Sequence, residues 1–503
     1  MVALIKTFAF SGIDASKIDV QVKISSAVNP FFNIVGLGDK AVAESKERVR
    51  AAISSTGLEW PSKRIIVNLA PADIQKEGSH YDLAIALGIM IEMGVLESRA
   101  VDDYFVLGEL ALDGAISKVN GIISAAIGAN QKNCGIICPK VNGSEAAWAG
   151  DLNIIAAADL LTLINHLKGQ QLLARPQVKQ LKISQNYPDF SEIKGQESAK
   201  RALEIAATGG HNLLMIGAPG AGKSMLASRL PSILPDLELM EILEINMINS
   251  VSGKINDGNL ITQRPFREVH HSCSMPAMVG GGSFVKAGEI SLAHNGILFL
   301  DELAEFPRQV LDSLRQPLEN GTITISRVNS RISFPANFQL IAAMNPCPCG
   351  YLGSNSKECK KAPICGQDYK NKISGPLLDR IDMVIEVPVI DYFDHYNKKR
   401  GESSEIIKNR VLAGRKLQIN RFSYLDQEKN ITNANMDSEM VEKYCQLSDD
   451  CQNLLKIAIE KIGLSMRGIS KILKVSRTIA DLESSDNIGK NHLLEAISYR
   501  RQL

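Results

Sequence analysis

The octapeptide GAPGAGKS at Gly217–Ser224 follows the apolar run Leu213–Ile216 and precedes MLASRLPSILP, a stretch with helical spacing. No other feature restricts the fold as tightly. A strand that ends in such a loop and continues as a helix turns successive backbone N–H groups inward on a phosphate, with the Lys as an added point charge. Gly217, Gly220 and Gly222 supply the turns, Ala218, Pro219 and Ala221 fill the positions around them, and Lys223 carries the charge. Ser224 offers its hydroxyl to Mg²⁺ and Met225 leads into the helix. A Gly-rich loop with a chance Lys is the other reading, but it leaves the strand before and the helix after without a reason.

The neighbouring segments read as the sheet such a loop needs. NLLMIG, GILFLDE and FQLIAAMN are short and nearly all apolar. Burial on both faces is the mark of a parallel sheet covered by helices. Upstream, IDVQVKI and RIIVNLA alternate as strands, while AVAESKERVRAAISSTG sets Val42, Val49 and Ile53 on one helical stripe that ends at Gly57. Residues 1–168 are therefore expected to form a mixed α/β domain. The Gln-rich stretch 169–188, with two prolines and no period, reads as a linker. Residues 189–390 form the phosphate-binding core. From Asp391 the pattern turns helical, with Met466, Ile469, Ile472, Leu473, Ile479 and Leu482 read as one stripe, so 391–503 close the chain as a small helical domain. Three domains suit 503 residues.

Lys plus Arg number 56 against 55 Asp plus Glu, so any nucleic-acid surface has to be local. No run of about 18 apolar residues occurs and the start lacks a signal-peptide core, which points to a cytoplasmic protein off the membrane. Cysteines there stay reduced, so clustered ones are metal-ligand candidates. Cys134, Cys138, Cys273, Cys445 and Cys451 are scattered.

Further site residues sit at strand ends. GILFLDE runs into Asp301, read as part of the Mg²⁺ shell, and Glu302, read as the general base that polarises water. FQLIAAMN ends in Asn345, whose amide is placed to orient that water; a turn Asn is the alternative. Arg380 in SGPLLDRIDM is either a surface ion pair or, in a ring ATPase, an arginine reaching the neighbour's γ-phosphate, which requires an oligomer. Arg467 opens a long helix and is placed to touch the γ-phosphate from the lid side.

Together with HNGILFLDEL, AAMNPCPCG, SGPLLDRID and SMRGISKILKVSRTIADL, the loop resembles the AAA+ proteins of the magnesium-chelatase-like group. IKGQESAKRALEIAA, with Ile193, Gly195 and Gln196, is similar to the strip that lies against adenine in such ATPases. VNLAPADIQKEGSHYDLAIALGI and VLGELALDGAISKVNGIISAA resemble the domain of Lon proteases. This layout is that of the ComM (YifB) family, competence-associated ATPases that resemble branch-migration helicases. The resemblance implies an N-terminal Lon-like (S5-like) α/β domain, a central AAA+ P-loop parallel-sheet domain and a C-terminal helical lid. It also implies ATP with Mg²⁺ and a homo-hexamer, as a single or double ring. The Lon-like part departs from a protease: Ser79 is offset from the Lon serine, and Ile123 stands near the position of its lysine and cannot serve as a base. A docking or DNA-contact role is expected instead, with Lys46, Arg48, Arg50, Lys63 and Arg64 as local charge or as an ordinary solvated face.

Two inserts carry the DNA reading. RPFREVHHSCSMPAMVGGGSFVKAGEISLAHNG, with Gly280, Gly281 and Gly282, is implied by the resemblance to face a central pore, with Lys286 as a candidate contact. TITISRVNSRISFP reads as a hairpin with Arg327 and Arg331 at its tip. A ring of such tips would grip phosphates of single-stranded, double-stranded or branched DNA without sequence preference. Cys347, Cys349, Cys359 and Cys365 lie within one Gly/Asn/Pro-rich loop and suit a structural Zn²⁺, free loop thiols being the alternative. The leading expectation is a hexameric ATP-driven DNA translocase or helicase that branch-migrates DNA in recombination. The alternatives are a protein-remodelling or metal-insertion ATPase of magnesium-chelatase type, and an ATP-dependent protease.

Overall fold

The computed structural model describes residues 2–36, 39–178, 187–255, 259–282, 286–326, 331–352, 363–389, 400–423 and 431–500. Its first sheet has strands β1 (Ala3–Ser11), β2 (Asp14–Ser25), β3 (Phe31–Val35), β4 (Arg64–Ala70), β5 (Tyr104–Val106), β6 (Gly135–Pro139) and β7 (Ile154–Ala157). They lie in the order β3-β4-β2-β1-β5-β6-β7. Antiparallel β1–β2 and β2–β4 pairs join parallel β1–β5, β5–β6 and β6–β7 pairs, so the sheet is mixed. The alternation in IDVQVKI and RIIVNLA turns Ile18, Val20 and Val22, and Ile65, Val67 and Leu69, onto one face. There they meet Val49 and Ile53 of α1 (Asp39–Ser55) and nearly all of α2 (Asp82–Glu92). The opposite face buries Phe8, Phe105, Ile136 and Ile154 under α3 (Ile122–Asn130).

The second sheet is made of β8 (Leu213–Ile216), β9 (Phe266–Val269), β12 (Ile297–Leu300), β15 (Gln339–Met344) and β16 (Met383–Glu386), every pair parallel, in the order β9-β12-β15-β8-β16. Its apolar runs are buried on both faces, as expected. Leu213, Met215, Ile297, Phe299, Ile341 and Ala343 join one cluster, whereas Leu214, Ile216, Leu298, Leu300, Leu340 and Ala342 join another. The first cluster includes α4 (Glu197–Gly209) and α5 (Lys223–Arg229); α6 (Leu239–Val251) follows in the chain. Two ribbons branch off, β10 (Gly280–Gly281) with β11 (Lys286–Ala287), and β13 (Thr322–Ser326) with β14 (Arg331–Pro335).

The last helices are α7 (Ser404–Phe422), α8 (Asp449–Ile462), α9 (Met466–Leu482) and α10 (Lys490–Ser498). Most of their buried side chains, Ile407, Val411, Leu455, Ile472, Ile479 and Leu493 among them, belong to the cluster that covers the parallel sheet, while Phe422, Met436, Val441, Cys445, Ala480 and Ile488 form a smaller cluster of their own. One member of the expected α9 stripe is misplaced. Met466 is 81% exposed, because six residues at about 100° each leave it a third of a turn away from Ile472. Among the described residues no helix is long and apolar enough to cross a membrane.

Candidate active site

The carboxyl ends of β8, β12 and β15 lie side by side, and the residues that leave them form the site. Ile216 is paired with Met344, so Gly217 and Asn345 emerge together, and the Gly217 N–H donates to the Met344 carbonyl at 3.1 Å. A Cβ on Gly217 would stand 2.4 Å from the Val387 carbonyl oxygen, so only glycine fits there. Gly220 and Gly222 have φ of +79° and +88°, the left-handed region that glycine enters freely. Gly350 packs on the loop from outside: its Cβ would lie 2.5 Å from Pro219 Cδ.

Lys223 is 8% exposed and folds back over the loop. Its Nζ donates to the carbonyls of Gly217 at 2.7 Å and Ala218 at 3.0 Å, and to Asn345 Oδ1 at 3.2 Å. Burial lowers its pKa, with Asp301 and Glu302 pulling the other way. Ser224 Oγ donates to Asp301 Oδ2 at 2.8 Å, while Asp301 Oδ1 accepts the Glu302 N–H at 2.9 Å. A serine hydroxyl and a carboxylate oxygen this close form the hard-oxygen pair that suits Mg²⁺. The donor set fits the ion.

Glu302 has φ of +53°, which swings it out of the β12 direction. Its Oε2 lies 3.0 Å from Nδ1 of His271, a residue that sequence reasoning passed over. The signal was latent in the register: β9 pairs Val269 with Leu300, so His271 and Glu302 each stand two residues beyond a matched pair.

The strip ahead of α4 is tied to the loop. Gln196, at φ +57°, donates to the carbonyls of Ala221 at 3.2 Å and Pro388 at 2.6 Å. Gly195 is also left-handed at +72°. Ile193 is fully buried in the cluster that holds Ala221, and Met225 is 37% exposed.

Arg380 and Arg467 do not join this constellation within one chain. The Arg380 guanidinium pairs with Glu319 and donates to the Pro376 carbonyl. Arg467 is exposed at the start of α9, which Ser465 caps by accepting the Gly468 N–H at 3.2 Å. The basic ribbons do meet: a Cβ on Gly280 would stand 2.9 Å from Ile325 Cδ1. Lys286 is exposed opposite Gly281, and Arg331 is exposed opposite Ser326. Arg327 lies outside the described residues.

The zinc expectation gains little. Cys347 and Cys349 sulfurs are 3.2 Å apart, and Cys359 lies outside the described residues. Among the described residues no three His, Cys, Asp or Glu side chains gather as a metal site, so Cys365 does not complete one with that pair. Burial pushes the Cys347 thiol up, but hydrogen bonds from Cys349 and from the backbone of Leu352, Gly350 and Tyr351 carry it below the usual thiol range.

The N-terminal domain offers no serine–lysine dyad at the expected positions. Ser79 donates to Glu109, Ile123 is fully buried, and His80, pushed down to about 4 by burial, contacts the Phe8 carbonyl at 2.9 Å. Arg48, named as local charge, is committed to the buried Asp82 at 2.6 Å. Its helix turns it inward to a carboxylate that would otherwise stand unpaired. Lys46 reaches Asn33 at 3.3 Å and Arg64 stacks over Phe31 at 4.8 Å, while Arg50 and Lys63 are exposed.

Comparison with known proteins agrees with this geometry. A family model described as magnesium chelatase, subunit ChlI, matches residues 189–394; models for subunit ChlI of Mg-chelatase and for the ChlI C-terminal part match residues 20–142 and 401–500. Competence protein ComM of Haemophilus influenzae is 44% identical, over 99% of this chain and 97% of that protein. Protein YifB of Escherichia coli K12 is 43% identical over the same shares. Magnesium-chelatase subunit ChlI of Mesostigma viride is 22% identical over 62% of this chain and 85% of that subunit. A phosphate loop, an acidic strand end and C-terminal helices packed on the parallel sheet, joined to a mixed sheet and matched along almost the whole chain, make this protein a member of the ComM/YifB family of magnesium-chelatase-like AAA+ ATPases.

Proposed function

We propose that the chain works as a cytoplasmic, ring-forming ATPase that draws DNA through its centre and promotes branch migration during recombination of incoming strands. The observation that carries this reading is that one chain holds two kinds of group: Lys223, Ser224, Asp301 and Asn345 gathered at the carboxyl ends of central strands, and Lys286 and Arg331 on two ribbons packed against each other. In the reaction, Lys223 leaves its loop carbonyls for the β- and γ-phosphates, while Ser224 and Asp301 hold Mg²⁺. When bound, Mg²⁺ neutralises charge on the phosphate oxygens. Glu302, released from His271, takes the proton of the attacking water, and Asn345 orients that water. Arg380 exchanges Glu319 for the neighbour's γ-phosphate, which makes a homo-hexamer the working unit, and Arg467 approaches from the lid. The relative named as a competence protein favours DNA as the polymer and natural transformation as the setting.

A protein-remodelling or metal-insertion motor is the second reading, favoured by the chelatase-subunit matches. Hydrolysis measured with and without forked and four-way DNA, alongside strand displacement, separates them. Stimulation by DNA and displacement of a strand support the translocase; a rate indifferent to DNA refutes it. Mixing Arg380→Ala with Lys223→Ala subunits tests the ring: activity returns if Arg380 acts across a seam, and intact but inactive mixed rings reject that role.

A further inference from the structure

Three parts of the chain converge beside the basic ribbons. The β13–β14 hairpin pairs Ile325 with Ile332 and Ser326 with Arg331, so the two isoleucines lie one step behind the basic position. Gly280 of the β10–β11 ribbon, which leads to Lys286, abuts Ile325. The third part comes from the N-terminal domain. Its β1–β2 turn holds Gly12 at φ +66°, and a Cβ there would stand 2.3 Å from the Ser333 carbonyl oxygen and 3.4 Å from Ile332 Cγ2. Ile13 packs against the apolar cluster that contains Ile323 and Phe334 and is flanked by Ile325 and Ile332.

The same domain is anchored a second time, at the end of α6. The Gly121 N–H donates to the Ser250 carbonyl at 3.2 Å. Ser250 Oγ donates to the buried Glu145 at 2.5 Å, and Asn142 holds the other carboxylate oxygen at 3.0 Å. Lys118 donates to the Ile255 carbonyl. A close-packed body seated at two places transmits displacement between them instead of absorbing it.

We infer that the β1–β2 turn, through Gly12 and Ile13, is the positioning element of the two basic ribbons, holding them against the ATPase core so that they move with the N-terminal domain. The inference rests on reading those ribbons as DNA contacts. It gives the Lon-like domain a task that needs no protease dyad: it is the brace behind the grip.

The test uses the full chain carrying Ile13→Asp, at a side chain outside both apolar clusters of its own domain. Ile13→Val is the conservative control and Arg331→Ala the benchmark for DNA contact. Hydrolysis is measured with and without a single-stranded oligonucleotide, and amide exchange is followed across β13–β14. Without DNA, Ile13→Asp should hydrolyse ATP within about twofold of the unaltered protein, while stimulation by DNA falls roughly three- to tenfold, inside the roughly two- to thirtyfold span of contacts that modulate coupling between sites. Exchange across the hairpin should quicken, and Ile13→Val should restore both. Should the Asp variant fail to fold, Ile13→Ala provides the same two readings with a smaller change. Normal stimulation and unchanged exchange in Ile13→Asp, beside lost stimulation in Arg331→Ala, overturn the inference and leave the DNA reading standing. If DNA stimulates none of the proteins, the DNA reading falls; hairpin exchange then decides the positioning role alone, quickened exchange supporting it and unchanged exchange rejecting it.

Discussion

Lys471 on α9 donates from Nζ to Asp382 Oδ1 at 2.6 Å, two residues beyond Arg380. The other carboxylate oxygen accepts the Asn212 N–H at 2.8 Å. His211 Nδ1 lies 3.9 Å away, but burial pushes that ring down to about 4, so it is neutral at pH 7. The two charged side chains are 16% and 10% exposed. Burial raises the Asp382 carboxyl, yet the Lys471 charge, with the hydrogen bonds from Lys471 and the Asn212 N–H, outweighs it and holds it below the ordinary carboxylate range. Lys471→Met keeps the apolar stem and removes the cation hydrogen-bonded to the carboxylate, leaving Lys474 and Arg500 to act on it only through space. Removing one partner of a buried pair costs about 3–5 kcal/mol. The protein could instead protonate Asp382 at neutral pH, which costs about 1.4 kcal/mol for each of about three pH units, roughly 4 kcal/mol in all. The two routes agree on about 4 kcal/mol, which for a unit of this size lowers the melting temperature by roughly 10 °C. Calorimetry at pH 7 measures it. Adding Asp382→Asn should recover more than half of the loss, because a neutral amide needs no counter-ion. A folded pKa below the unfolded one contributes stability above the carboxylate range, lost as pH falls through the depressed value, so the difference between the proteins should shrink in acid. A loss under about 1 kcal/mol at pH 7, with no recovery on Asp382→Asn, would refute the claim that this strut is desolvated.

The nucleotide chemistry is tested more directly. Lys223→Ala should lose at least about tenfold in affinity for a fluorescent ATP analogue, since the loop keeps its N–H groups but no cation; unaltered binding would contradict the phosphate role. Glu302→Gln should bind that analogue normally while turnover drops roughly 10²- to 10⁴-fold, and a near-normal rate would remove Glu302 as general base. His271→Ala frees Glu302 from a contact worth about 0.5–1 kcal/mol, so the rate without DNA should rise roughly two- to fivefold; a fall would mean that His271 assists hydrolysis instead of restraining it.

Much of the fold was legible because its signals are short in range. Apolar runs of four to six residues at Leu213–Ile216, Ile297–Leu300 and Gln339–Met344 are buried on both faces wherever they sit in a parallel sheet. The hairpin at Thr322–Pro335 followed from alternation alone, with Ile323 opposite Phe334 and Ile325 opposite Ile332. The α9 stripe was read less well: Ile472 and Ile479 are buried, but Met466 faces out. Periodicity marks a helix reliably and judges its ends poorly, since the first turn has few tertiary neighbours to define its inner face.

What the chain determined by itself is the phosphate loop and the strand ends that carry Asp301, Glu302 and Asn345, because glycine's left-handed freedom and the pleat's period are properties of neighbouring residues. What only the tertiary structure decided is which of these groups has company. His271 meets Glu302, Arg380 meets Glu319, Arg48 turns to Asp82, and the Gly12 turn lodges against Ser333. Each of these pairs joins residues about 30 or more positions apart, up to 321 for Gly12 and Ser333. Contacts of that range depend on strand register and on how layers stack, and neither leaves a local pattern in the sequence.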